Sequence, residues 1–91
     1  MIVNITDYGN ENDKYFVEYS VKDLTSNQME FLHNNLDEET KIENGIFMLK
    51  MYFDEMLYPF QSDVAQFRIA DFISREEIEM NVFLSSFLQD M

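Results

Sequence analysis

Residues Asp37 to Phe60 read DEETKIENGIFMLKMYFDEMLYPF and hold the longest apolar run of the chain, with acidic residues before and within it. Read as an α-helix, the stretch forms an apolar stripe at steps of four, three, four and three residues. Asp37 can cap this helix, and Pro59 ends it near Tyr58. We favour this central helix, on which the other elements would pack. The stripe consists of Ile42, Ile46, Leu49, Phe53 and Met56.

The same stretch supports a second interpretation, in which it contains a β-hairpin. Asn44-Gly45 is a strong signal for a two-residue hairpin turn, and a strand would then run from Ile46 to Phe53. Gly45 also weakens the helix, because a glycine inside a helix costs about 1 kcal/mol relative to alanine. Both interpretations bury the same apolar residues, so the sequence leaves the two open.

The N-terminal part of the chain predicts two strands, from Met1 to Ile5 and from Lys14 to Lys22. The second alternates apolar and polar residues, which is the period of a sheet with one better-buried face. Thr6 to Asp13 is rich in Asn, Asp and Gly and predicts a loop. Two strands alone are marginally stable in water, so this hairpin needs a third strand or a helix across it. The better-buried positions are Tyr15, Val17, Tyr19 and Val21.

The next segment has the sequence pattern of a capped helix start. Thr25 can cap the amide of Gln28 while the Gln28 side chain reaches back, and Leu24 and Met29 occupy the positions of a hydrophobic staple. This helix should run to about Leu36.

The same capping pattern recurs at Ser74, with Glu77 as its reciprocal partner, and predicts a C-terminal helix from Arg75 to about Gln89. Before it, Ser62 to Phe72 predicts a short helix, and a strand through Ile69 is the alternative. The fold class that follows is α+β, with an N-terminal antiparallel β-hairpin packed with three to four helices in one domain over residues 1–91.

The predicted C-terminal helix has more apolar surface than one layer needs. Met80, Phe83, Leu84, Phe87 and Met91 line one stripe, whereas Ile78 and Val82 lie on the far side. This excess predicts a homodimer, whose interface would by default be isologous.

The net charge of the chain excludes some classes of function. The chain has 18 Asp and Glu residues against 6 Lys and Arg, a net charge of −12. So much negative charge repels nucleic acid and anionic lipid and attracts basic proteins or cations, which excludes a direct nucleic-acid binder. The N-terminus lacks the features of a signal peptide, and no stretch predicts a membrane span.

The residues needed for catalysis or metal binding are few. The chain has no cysteine, and its only imidazole, His33, falls at the edge of a buried helix stripe, where we expect it to be partly buried. Asp7 to Glu18 spans twelve residues, but Gly9 and Asn12 stand where a calcium loop needs an oxygen ligand and a glycine. We therefore predict a protein without enzymatic activity, metal or cofactor.

The acidic residues could imitate a DNA backbone, since carboxylates on helix caps and faces have fixed positions. Duplex DNA carries one charge per about 1.7 Å, so 12 net charges correspond to roughly 20 Å of duplex. Such a protein would compete with DNA for DNA-binding proteins. The predicted phosphate-mimicking residues are Asp37, Glu38, Glu39, Glu43, Asp54, Glu55, Glu76, Glu77 and Glu79.

The opening MIVNITDYGNENDKYFVEYSVKDLT and the acidic, Phe- and Met-rich remainder resemble the anti-restriction nuclease (Arn) family of T-even phages, over all 91 residues. The resemblance implies a dimeric DNA mimic in the host bacterial cytoplasm. Its expected partner is the host endonuclease that restricts DNA containing modified cytosine, and relatives also engage the histone-like nucleoid-structuring protein. The alternative is an acidic interaction module that grips a host factor through its apolar faces, without DNA mimicry.

Overall fold

A computed structural model describes residues 1–54 and 69–91, which form an α+β fold of one sheet and two helices. The predicted class is confirmed, but the prediction of three to four helices is wrong for the described residues. The strands form one antiparallel sheet in the order β1-β2-β4-β3. In chain order the elements are β1 (Ile2–Glu11), β2 (Lys14–Lys22), α1 (Ser26–Asn35), β3 (Glu39–Glu43), β4 (Ile46–Phe53) and α2 (Ile69–Leu88).

The favoured central helix is wrong, because residues 39–53 form a β-hairpin. Asn44 and Gly45 make its turn with φ of 54° and 76°, both in the left-handed region that a two-residue hairpin turn requires. The alternative strand is confirmed with the predicted bounds, Ile46 to Phe53. β4 lies between β2 and β3 and forms backbone hydrogen bonds with both strands, which a helix could not do. The helix end predicted at Tyr58 lies outside the described residues.

The first hairpin is tighter than predicted. β2 has the predicted bounds, but β1 continues to Glu11 through an irregularity between Ile5 and Asp7. The loop predicted over Thr6 to Asp13 is therefore wrong. Asn12 and Asp13 make a two-residue turn with φ of 53° and 65°, a conformation that Asn and Asp tolerate better than most residues.

The cap of α1 is confirmed in both directions. The Gln28 amide donates to Thr25 Oγ1 at 3.1 Å, and the Thr25 amide donates to Gln28 Oε1 at 2.9 Å. The helix ends at Asn35, and the Leu36 amide still donates to the Leu32 carbonyl at 3.0 Å.

α2 begins earlier than predicted, at Ile69, so Ser74 lies inside the helix and does not cap it. Glu77 has a different partner, the Ile5 amide of β1, which donates to Glu77 Oε2 at 2.7 Å. Of the segment predicted over Ser62 to Phe72, residues 69–72 are helical, and the strand through Ile69 is wrong there. Residues 62–68 lie outside the described residues. Within the described residues, no helix has the length and apolarity to span a membrane.

The core lies between one face of the sheet and the two helices. Alternate residues of β2 and β4 point into it, as the β2 pattern predicted, and α1 and α2 contribute two buried residues each. The opposite face of the sheet is called the outer face below. Its residues on β2 are Phe16, Glu18 and Ser20, paired with Tyr52, Lys50 and Met48 of β4. The core residues are Val3, Val17, Tyr19, Val21, Met29, Leu32, Phe47, Leu49, Met80 and Leu84.

Candidate functional site

The predicted phosphate-mimicking residues do not share one surface. Glu39 and Glu43 alternate along β3, where they pair with Lys50 and Ile46 of the outer face. Glu38, Glu76 and Glu79 lie on the helix side of the sheet. Asp37 and Asp54 are exposed at the ends of strands, and Glu55 lies outside the described residues. The structure thus divides the predicted set between two faces.

The outer face has mixed charge. Lys50 Nζ lies 2.6 Å from Glu11 Oε2 and 4.4 Å from the centroid of the Phe16 ring, so one ammonium group bridges β4 and β1 across β2. The hydrogen bond to Glu11 raises the pKa of Lys50 and keeps it charged. Lys41 pairs with Glu43 at 3.4 Å, and Tyr52 donates to Glu39 at 3.3 Å. The acids of this face are partly compensated.

The helix side has a cleft of about 340 Å³, here called the Tyr19 cleft. Glu76 and Glu79 reach it from α2, where residues three apart share a face, and Glu38 reaches it from the segment before β3. The cleft therefore combines three carboxylates with apolar and aromatic walls. Its lining residues are Tyr19, Glu38, Met51, Phe53, Glu76, Glu79, Met80 and Phe83.

The carboxylates of the Tyr19 cleft affect each other and the tyrosine. Desolvation by burial, followed by the charge of Glu79, raises the pKa of Glu76, and Arg75 opposes this shift. Burial raises the pKa of Tyr19 to about 12, with further contributions from Glu76, Glu79 and Glu77. Among the described residues, ion pairs join Lys41 to Glu43 and Lys50 to Glu11, so none of the three cleft carboxylates has a lysine or arginine partner there.

Glu77 does not belong to this set of available charges. Its carboxylate accepts the Ile5 amide at the irregularity of β1, and the contact is partly buried. An acid that completes the backbone hydrogen bonding of a strand is a structural residue, and it is less available to a partner than its neighbours on α2.

The walls of the cleft were missed by the sequence prediction. Tyr19 and Met51 lie on neighbouring strands, and the central-helix interpretation had no reason to bring Met51 next to β2. The alternation of β2 was the available signal for Tyr19, but it predicts only burial. A cleft in which Tyr19 meets α2 residues 57 or more positions later has no local sequence pattern.

His33 is exposed, which corrects the prediction of partial burial. Its Nδ1 lies 2.7 Å from Thr40 Oγ1, so the ring ties α1 to β3. Among the described residues, no group of three or more His, Cys, Asp or Glu side chains is arranged to hold a metal ion.

Glu76→Gln is expected to stabilise the protein at neutral pH. Folding raises the pKa of Glu76 above its ordinary value of 4.5, so the charged form is less favourable in the folded protein than in the unfolded chain. The wild-type chain regains this stability as pH falls through the folded pKa, and the advantage of the variant should vanish below the ordinary value. Thermal melts from pH 3 to pH 7, in steps of about one pH unit, measure the difference in stability between the variant and the wild-type chain. An equal gain in stability at every pH would contradict the raised pKa of Glu76 as its cause.

A small α+β protein with a four-stranded antiparallel sheet, two described helices and an acidic cleft between the layers is the class that these observations define. The chain belongs to a protein family of unknown function (DUF5750), whose profile matches residues 2–90. No curated protein matches the chain.

Proposed function

We propose that this protein is a non-catalytic DNA mimic, which inhibits a host DNA-binding protein by occupying its DNA-binding surface. The proposal is supported chiefly by the net charge of −12, of which the two ion pairs found in residues 1–54 and 69–91 neutralise little. Strands and a twenty-residue helix carry many of these acids, and such elements keep charges at fixed separations. Fixed charge attracts a basic groove at long range and fits it on contact.

The target class comes from the resemblance to the anti-restriction nuclease family. We propose an endonuclease that cleaves DNA containing modified cytosine as the partner, with a histone-like nucleoid-structuring protein as a further partner, in a bacterial host cytoplasm. The helix-side acids Glu38, Glu76 and Glu79 are the best candidates for the contact, because none of them is paired with a lysine or arginine among the described residues.

A competition assay tests the proposal. Purified endonuclease is incubated with labelled duplex DNA and increasing amounts of the protein, and bound DNA and cleavage are both followed. A mimic displaces the DNA, suppresses cleavage and loses affinity as salt rises, because its binding is electrostatic. Failure to displace DNA at low salt would reject the proposal.

Two variants with equal net charge separate position from total charge. The test variant carries Glu38→Gln, Glu39→Gln, Glu76→Gln and Glu79→Gln. The control carries Asp13→Asn, Asp23→Asn, Glu30→Gln and Asp90→Asn, where Asn suits the positive φ of residues 13 and 23. We expect the test variant to bind the endonuclease about tenfold more weakly than the control. Equal affinities of the two variants would mean that binding depends on the total charge and not on the positions of the acids.

The exposed apolar face of α2 supports a second candidate, an acidic interaction module. Ile78 and Val82, which lie on one side of α2, are 65% and 60% exposed. A partner held through these side chains would remain bound at high salt and in excess duplex DNA, in contrast to a partner held by mimicry.

We also propose that the same face forms a homodimer. Ile78 and Val82 line an apolar hollow with Met1 and Ile2, and two copies related by a two-fold axis could cover it. Sedimentation should show a dimer at micromolar concentration, and a monomer there would contradict the proposal.

A further inference from the structure

We propose that the outer face of the sheet is a self-association surface, on which a second copy of the chain packs sheet against sheet. α1 and α2 both pack on the other face, so the part of the chain that the structure describes places no helix over the outer face. The inference goes beyond the proposed dimer through α2, because it concerns a different surface, and it does not depend on DNA mimicry.

The first observation is the apolar character of β4 on this face. An antiparallel strand with one face in water usually alternates apolar and polar residues. β4 does not, because its outward positions include Ile46, Met48 and Tyr52. Phe16 of β2 lies opposite Tyr52 and adds a second aromatic ring. The centre of the outer face therefore has the composition of a surface that another layer covers.

The second observation is the position of the positive charges. All four lysines of the chain are on strands, at positions whose side chains point to the outer face. Two of them lie at the ends of β2, one lies on β3 and one lies in β4. They are Lys14, Lys22, Lys41 and Lys50.

The third observation is the charge balance that results. Five acids point to the same face as the four lysines, so the outer face has a net charge of −1, compared with −12 for the whole chain. The five acids are Asp7, Glu11, Glu18, Glu39 and Glu43.

This balance selects another copy of the chain as the occupant. Two chains of net charge −12 repel each other, so they can approach closely only through surfaces on which their own charges nearly cancel. A face that carries both signs is complementary to itself, because the lysines of one copy can meet the acids of the other. A basic partner gains little on such a face, and the helix-side acids attract it more strongly.

The outer face is also large enough. Four strands about 4.8 Å apart, with eight residues of β4 at about 3.4 Å each, span roughly 19 Å by 27 Å. Two such faces would bury roughly 1,000 Å², which is near the lower limit for a specific interface. Sheets pack face to face about 10 Å apart, a distance that the apolar side chains of β4 and β2 fill.

Sedimentation velocity of the full chain from about 1 μM to about 1 mM tests the proposal. We expect a species larger than the α2 dimer to form with a Kd of about 100 μM, because an interface of this size is weak. The association should strengthen as salt rises, since salt screens the repulsion between the two acidic chains. Binding by DNA mimicry should weaken over the same range of salt.

Matched variants locate the contact. Met48→Glu places a further carboxylate at the centre of the outer face and should weaken this association at least about tenfold. Asn27→Glu adds the same charge at an exposed position of α1 and should change it less than about twofold. Met48→Ala removes apolar surface without adding charge and should weaken it by a smaller factor than Met48→Glu. Ile78→Glu should disrupt the α2 dimer and leave the outer-face contact in place.

An NMR dilution series of the unmodified chain identifies the surface independently, and the spectrum of each dilute variant shows that it is folded. Amide shifts that depend on concentration should include residues of β2 and β4, and those of α1 should stay constant. Equal association of Met48→Glu and Asn27→Glu would overturn the inference. Shifts confined to α2, or no association beyond the α2 dimer up to about 1 mM, would also overturn it. None of these results involves the endonuclease, so the outer-face contact and the DNA mimicry can fail separately.

Discussion

Phe47→Ala is expected to lower the free energy of unfolding by about 3–5 kcal/mol. Phe47 is fully buried and lies in β4, opposite Val21 of β2 and Ile42 of β3. Truncation removes apolar area from the core and leaves a cavity between sheet and helices that neighbouring strands cannot readily fill. Because small domains are stable by only about 5–15 kcal/mol, this loss is a large part of the total.

Urea unfolding followed by circular dichroism measures the loss, and Ile46→Ala provides the comparison. Ile46 belongs to the apolar stripe that the central-helix interpretation predicts, and Phe47 does not. In the hairpin, Ile46 is only half-buried and points to the outer face. A larger loss for Ile46→Ala than for Phe47→Ala would contradict the β4 register.

Glu77→Ala is expected to cost about 1–3 kcal/mol of stability, which is large for a charged residue on a helix surface. The substitution leaves the Ile5 amide without its 2.7 Å acceptor, in a partly buried position where β1 is irregular. Loss of an acceptor from a buried amide costs more than the bond itself contributes, because water does not fully replace it.

Two other variants isolate the acceptor from the charge. Glu77→Gln keeps an oxygen that can accept the Ile5 amide and should lose less stability than Glu77→Ala. Glu79→Ala removes an exposed carboxylate two positions along α2, and its effect should stay within about 0.5 kcal/mol. Hydrogen exchange of the Ile5 amide should accelerate in Glu77→Ala. Equal losses of stability in Glu77→Ala and Glu79→Ala would show that the hydrogen bond to the Ile5 amide does not stabilise the fold.

The sequence predicted the elements whose signals are local. Thr25 and Gln28 form a reciprocal cap that needs only four residues, and the alternation in β2 reflects the two faces of a sheet whatever its partners are. The same pattern at Ser74 and Glu77 misled, because a Ser-x-x-Glu spacing also occurs inside helices. Nothing local indicated that Glu77 bonds to Ile5, 72 residues away.

The central stretch was ambiguous because almost every residue from Ile46 to Phe53 is apolar. Such a run satisfies the helical period and the strand period together, so periodicity cannot decide. Asn44 and Gly45 were the better evidence, since they adopt the two positive φ angles that a tight turn needs. The candidate site was predictable to the same degree: composition revealed the acids, but only the layering of α2 on the sheet brings Glu38, Glu76 and Glu79 together.

β3 has a further consequence for how the molecule behaves in solution. It is a five-residue strand at the margin of the sheet, and its Glu39, Lys41 and Glu43 side chains are all exposed. An exposed edge strand can pair with a strand of another molecule and begin aggregation. The short length of β3 and its alternating charges oppose such pairing. Part of the acidity of this chain therefore keeps the sheet from extending between molecules, whatever partner the remaining acids attract.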